Sequence, residues 1–253
     1  MLNYIDAWEQ KVGKKLRADF TEELDVFEQA LHNLATCINQ LCLGQPDLVR
    51  KVFGEEYKTL DSKTLGFFVS LVLLGEALVR LQAARRLFLA GYLSRALAST
   101  RDALESVMVA DICRNDVAQS KKWINGKEIK LTPGYKYHPV LNWKIWKNAQ
   151  EIMNPFGTHS YMEATVLSAV PQIAILLPNN TRWQWIYKDN GQFVLQRMLG
   201  RCLQMLLYIK SIYPEAKSQI KEFDNTVAKI TGLLERGLQI SLDELLILEG
   251  KYW

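Results

Sequence analysis

The chain has 253 residues, 49% of them apolar and 23% charged, with only 14 glycines and 7 prolines. That length holds one large domain or two small ones, and the balance excludes a disordered chain. So few helix breakers argue against a turn-rich β fold and for long helices, and the small net charge of +4 is unevenly spread along the sequence.

The amino terminus, Met1 to Asp6, carries acid early and lacks the apolar core of a signal peptide. Apolar residues then recur at Ile5, Trp8, Val12, Leu16, Phe20, Leu24, Phe27, Leu31, Leu34, Ile38 and Leu41. Every step is three or four, which marks one face of a helix. Gly13 is expected to break this pattern into a short helix and a long one. Gly44-Gln45-Pro46 should end it, because glycine suits the position after a helix and proline cannot continue one.

A short helix is expected between Pro46 and Gly54. Asp61 then reads as the N-cap of a helix that is apolar all round from Leu65 to Leu74 and amphipathic afterwards, with Leu74, Leu78, Leu81 and Phe88 inward. Its most apolar run, Leu65 to Gly75, is shorter than the ~18–20 residues of a membrane-spanning helix. A second apolar stretch, Ala164 to Leu177, contains Pro171 and Gln172. No membrane span is therefore expected. Around Gly91 the chain turns or continues. Leu93, Ala96, Leu97, Thr100, Leu104, Val107 and Met108 define the next helix, which should reach about Cys113. Asn115 reads as the N-cap of a short helix ending at Asn125-Gly126.

Residues 126–139, with Gly126, Pro133, Gly134 and Pro139, read as irregular. Helix resumes near Leu141 and breaks at Asn154 to Gly157. Ser160 to Glu163 has capping-box spacing, as does Ser241 to Glu244. Trp183, Trp185 and Tyr187 alternate with polar residues, and Asp189-Asn190-Gly191 precedes Phe193 and Leu195. That pattern suggests a small β-hairpin near residues 182–195, with an irregular loop as the alternative. The tail is expected to be helical again, with Phe193 to Tyr213 strongly apolar and carrying spaced arginines. After Pro214, Ile220, Phe223, Val227, Ile230 and Leu234 give the inner face of a last helix that Gly237 ends. The expected architecture is an all-α multi-helix bundle forming a single domain over 1–253.

Three groups of residues could carry chemistry. Arg101 and Glu105 sit one turn apart on the flank of the apolar stripe, while a helical wheel turns Asp102 away. Such a pair can orient an anionic ligand or a catalytic group, or can join two helices as a boundary ion pair. His159 precedes the capping box at Ser160, where free N–H groups favour anions. It could act as acid, base or phosphate contact, or simply pack at the helix entry. The third group is a basic, aromatic-rich insertion at about 121–147. It holds Lys121, Lys122, Lys127, Lys130, Lys136, Lys144 and Lys147 against the single acid Glu128. Trp123, Tyr135, Tyr137, His138, Trp143 and Trp146 lie among them. Lysines track phosphates and aromatic faces stack on bases, so this composition suits RNA or single-stranded nucleic acid. Alternatively, the aromatics staple a solvated insertion to the bundle.

Other chemistries find no motif. The sequence has no GxGxxG or Walker loop, no HExxH, no GxSxG and no ExxH repeat. Cys37, Cys42, Cys113 and Cys202 form no CxxC pair, and only three histidines are present. The thiols read as reduced core residues of a cytoplasmic protein, and no metal or cofactor is expected.

The stretch from Gly91 and Tyr92 to Arg101 and Glu105, a small residue, a tyrosine and then an Arg-x-x-x-Glu helix, resembles uncharacterised bacterial proteins of the HEPN-like superfamily. Trp123 after a short helix and the His159-Ser160 pair are similar in placement, and the likeness covers roughly residues 60–170. The resemblance implies a helical bundle, often a homodimer, in toxin–antitoxin or anti-phage systems. Members act there as metal-independent ribonucleases or bind nucleotides. Nuclease members carry an arginine followed four to six residues later by histidine, and His32, His138 and His159 all lack such an arginine. The leading expectation is a regulatory protein that binds a protein partner or ligand around Arg101, Glu105 and His159. The alternatives are a HEPN-type ribonuclease with a rearranged site and non-catalytic binding of RNA or single strands through 121–147.

Overall fold

The computed structural model describes residues 2–43, 60–141, 187–188, 190–213 and 220–238. They form seven helices and no strand: α1 (Leu2–Asp19), α2 (Thr21–Leu43), α3 (Ser62–Leu89), α4 (Leu93–Asn115), α5 (Val117–Ile124), α6 (Asn190–Ile212) and α7 (Ile220–Leu238). Helix accounts for 84% of the described residues, so the all-α expectation holds for them.

The three-and-four pattern of the first forty residues does face inward. Val12, Leu16, Phe20, Leu24, Phe27, Leu31, Leu34, Ile38 and Leu41 are all buried. Each such side chain removed from water contributes roughly 1.5–3 kcal/mol. The break falls at Phe20, not at Gly13. Even there the backbone ladder nearly continues, with Phe20 N–H donating to Leu16 and Leu24 N–H to Phe20. Gly13 serves a different purpose. A Cβ there would lie 2.7 Å from the carbonyl oxygen of Leu89, so its bare backbone lets α1 cross the end of α3.

Asp61 caps α3 as its sequence suggests. Its side chain accepts from the N–H groups of Lys63 and Thr64, each at 3.0 Å. Leu74, Leu78, Leu81 and Phe88 are buried. Among the described residues α3 is the one helix long and apolar enough to cross a membrane by length and composition, and 61% of its most apolar window is buried against the rest of the protein.

The chain turns at Gly91. The N–H of Gly91 donates to Phe88 and that of Tyr92 to Leu87. This closure needs a left-handed residue, and Gly91 has φ +82°. Helices α3 and α4 then run antiparallel. At the far end a Cβ on Gly66 would lie 2.8 Å from the carbonyl oxygen of Arg114, so the two backbones nearly touch. From Ser106 to Cys113 every residue of α4 is buried, which makes its second half the centre of the bundle. Helix α6 packs on α4, α7 on α6, and α2 on α3, α6 and α7. Apolar side chains of α1, α2, α3, α4, α6 and α7 share one core, and Val117, Trp123 and Ile124 of α5 lie against it.

Two boundaries differ from expectation. The cap of α5 is Asp116, which accepts from Ala118 N–H at 2.8 Å. Asn115 instead closes α4 by donating to the carbonyl of Asp111. The second difference is larger. Phe193 and Leu195, expected on the returning strand of a hairpin, lie in α6. Gly191 begins that helix rather than a turn, and a Cβ on it would sit 3.1 Å from the ring of Phe20. Its lack of a side chain is spent on close packing, which the Asn-Gly pair alone does not reveal. Trp183 and Trp185, the capping boxes at Ser160 and Ser241, and the stretch Ala164 to Leu177 lie outside the described residues.

Candidate functional site

A cleft of about 690 Å³ opens where α3, α4 and α5 meet the chain that follows α5. Helix α3 contributes Leu73, Glu76 and Arg80, and α4 contributes Arg101, Asp102, Glu105, Ser106 and Val109. Trp123 of α5 and residues 126–129 complete the lining. The fourth wall depends on a tight turn. Gly126, at φ +70°, donates its N–H to Trp123 while Lys127 donates to Lys122, and the chain folds back over the cleft. Leu73, Val109 and Ile129 are buried apolar residues of the lining.

Arg101 and Glu105 do share this cleft, but not as the isolated pair that their spacing suggests. Asp102, which the helical wheel turns outward, instead joins two arginines. It accepts from Arg101 Nε at 3.1 Å and Nη2 at 2.7 Å, and from Arg80 Nη1 at 3.3 Å. Arg80 also donates to Glu76 at 2.9 Å, one turn earlier on its own helix. The wheel fails because it ignores α3, which brings the Arg80 guanidinium to that side of α4.

Both arginines are thus engaged with carboxylates, whereas Glu105 makes no hydrogen bond or ion pair among the described residues. It is half-buried. Burial is the largest influence on its carboxyl and raises the pKa, Arg101 opposes that rise, and Asp102 and Glu128 add to it. The net direction is upward. Chemically the cleft is lined by apolar side chains together with four acids and three bases, and two of its carboxylates, Glu105 and Glu128, make no ion pair among the described residues.

His159 lies outside the described residues, as do Lys144 and Lys147. Lys121, Lys122, Lys127, Lys130 and Lys136 are exposed, and none makes an ion pair among the described residues. The described aromatics of the insertion turn inward. Tyr137 is buried and bonds through its hydroxyl to both backbone groups of Thr132. Tyr135 stacks edge-on against it at 4.8 Å and donates to the carbonyl of Asp111. Trp123 is half-buried between the core and the cleft.

A second polar cluster lies beneath this segment. Asp111 of α4 is 2% exposed. It accepts from the Tyr208 hydroxyl at 3.1 Å, from the His138 backbone N–H at 2.9 Å and from Asn115 Nδ2 at 3.2 Å. Ser211 Oγ lies 3.0 Å from His138 Nε2. The set contains the residue types of a hydrolytic triad, yet its bonds run the wrong way. The Val140 N–H lies 3.4 Å from His138 Nδ1, so a backbone group and not a carboxylate meets that nitrogen. Ser211 gives its own proton to the Tyr208 carbonyl. Asp111 holds the histidine's backbone, not its ring. The cluster fastens the loop after α5 to α4 and α6 and sets no carboxylate among the described residues on the imidazole, where a triad needs one.

Sequence reasoning passed over Glu76, Arg80, Asp102 and Glu128 as members of the cleft. One signal was available. Arg80 and Asp102 each lie eleven residues from Gly91, and residues equidistant from a helix–turn–helix corner face each other. Among the described residues no group of three or more His, Cys, Asp or Glu side chains could hold a metal ion. No family model, curated protein or solved structure matches the chain.

Proposed function

We propose that this protein is a ligand-binding regulatory bundle whose site is the cleft between α3, α4 and α5. The observation that carries this reading is Glu105, a half-buried carboxylate that faces an open cleft with no bonded partner among the described residues. A group that loses hydration on folding and gains no bond in return is costly, and a ligand that bonds it recovers the loss. The volume, about 690 Å³, suits a small molecule, since such sites span roughly 300–1,000 Å³. The test is a thermal-shift screen with small molecules of both charges, run on the wild-type chain, Arg101→Ala and Glu105→Gln. Compounds that stabilise wild type and fail with a variant locate binding in the cleft. If no compound discriminates, the cleft is not a binding site.

A second reading rests on the lysines. Five exposed ammonium groups between 121 and 136, with no ion pair among the described residues, favour contact with a phosphate backbone. The inward turn of Tyr135 and Tyr137 takes two stacking platforms away from that surface, so this reading is of charge contact without base stacking. Binding to labelled RNA across a salt series tests it. A slope near zero in log K against log salt removes it.

A further inference from the structure

We propose that the cleft takes a small organic cation, a primary ammonium or guanidinium carried on an apolar stem, with Glu105 and Glu128 as its counter-charges. This rests on the cleft being the ligand site, and it adds the sign and shape of the ligand. Each arginine of the lining is already paired with a carboxylate: Arg80 with Glu76 and Asp102, Arg101 with Asp102. An incoming anion would share arginines already paired with carboxylates, would have Lys127 as the one lining base without an ion pair among the described residues, and would sit beside Glu105. A cation meets no such competitor. Four acids against three bases leave the lining net negative, and neither Glu105 nor Glu128 makes an ion pair among the described residues.

The shape of the lining argues for an organic cation over a metal ion. Glu105 stands on α4 and Glu128 on the loop that follows α5, and among the described residues no cluster of three or more ligating side chains is present. Buried Leu73, Val109 and Ile129 line the same cleft and suit methylene groups. Trp123 brings an indole to the same cleft, and an indole face attracts a cationic head. A ligand with a charged end and an aliphatic stem fits these elements, and an inorganic ion leaves the apolar lining unused.

The experiment is calorimetric titration of the full chain with agmatine and with spermidine, and in parallel with inorganic phosphate and adenosine monophosphate. The cations are expected to bind the wild-type chain, and Glu105→Gln to weaken that binding about tenfold or more, as loss of one charge-assisted bond does. Glu128→Gln, on an exposed loop residue whose loss does not threaten folding, should weaken it by a smaller factor. Two results overturn the inference: no heat from either cation, or cation binding that both glutamine variants leave unchanged. The other arms separate this failure from failure of the cleft reading. Phosphate or nucleotide binding that Arg101→Ala abolishes, with no cation binding, keeps the cleft as a site and reverses the sign of its ligand. Silence from all four probes removes both.

Discussion

Replacing Asp111 with alanine should loosen the joint that holds the cleft's outer wall. The carboxylate is 2% exposed and binds the Tyr208 hydroxyl, the His138 N–H and the Asn115 amide. Asn115 is exposed and can turn to water, so its loss counts for little. Tyr208 is fully buried and cannot. Two stranded donors at about 1–3 kcal/mol each give about 2–6 kcal/mol. Relief of the cost of burying a carboxylate offsets part of that, which leaves about 2–4 kcal/mol. Tyr208→Phe removes one donor and leaves Asp111 with its other partners, at about 1 kcal/mol. Asp111→Asn keeps an acceptor for the His138 N–H, and its amide can donate to the Tyr208 oxygen, so it too should cost about 1 kcal/mol. Urea unfolding followed by the helical circular dichroism signal measures all three, and the Asp111→Ala/Tyr208→Phe double variant isolates their coupling. In a chain of this size 1 kcal/mol moves Tm by roughly 2–4 °C. Asp111→Ala should therefore melt about 4–16 °C lower. An Asp111→Ala protein within about 1 kcal/mol of wild type, or one more stable than Tyr208→Phe, would refute the reasoning.

Gly66→Ala should cost about 1–3 kcal/mol in thermal unfolding, because its Cβ would meet the carbonyl oxygens of Arg114 and Cys113 at 2.8 and 3.0 Å and backbone cannot step aside. Gly126→Ala meets nothing within 4 Å, so only its left-handed backbone counts, at about 1–2 kcal/mol. The pH dependence of stability should show Glu105, faced by Arg101, Arg80, Asp102 and Glu128. Its raised folded-state pKa supplies stability below the unfolded value that is lost as pH rises through the folded one, so Glu105→Gln should gain on wild type as pH rises through the folded value. Glu28 runs in the opposite sense. Burial raises its carboxyl, but hydrogen bonds from Arg17 and Arg85 outweigh that and lower it, so its contribution is present above the unfolded pKa and disappears as pH falls through the folded one. Comparing urea midpoints of Glu28→Gln and wild type over the acid range checks that sign. Among the thiols, Cys37, Cys113 and Cys202 are buried, with Cys37 pushed up by burial to about 11 and Cys113 to about 12. Half-buried Cys42 should react first with a thiol reagent in the native protein, and a faster reaction at any other cysteine would contradict this burial.

Much of the fold was legible along the chain, and particular residues show why. The run from Val12 to Leu41 repeats at three and four, and that period alone assigns both helix and inner face. Asp61 and Gly126 announce a start and a stop because a cap needs a short acceptor and a left-handed turn needs glycine. Gly13, Gly191 and Asp102 were misread for one common reason. Each answers to a neighbour distant in sequence: the carbonyl of Leu89, the ring of Phe20 and the guanidinium of Arg80. Local rules treat a glycine as a turn and a polar helix residue as solvated unless something else is known to approach.

The site divides along the same line. Arg101 and Glu105 were selected from spacing because a four-residue step is a property of one helix. Their environment is a property of three helices and a loop. Only the packing of α3 against α4 shows that Asp102 and Glu76 occupy the arginines and that Glu105 is left unbonded. Periodicity and capping are local energies that a sequence states residue by residue. Which charge is neutralised depends on distances between chains of residues far apart, and those exist only once the helices have packed.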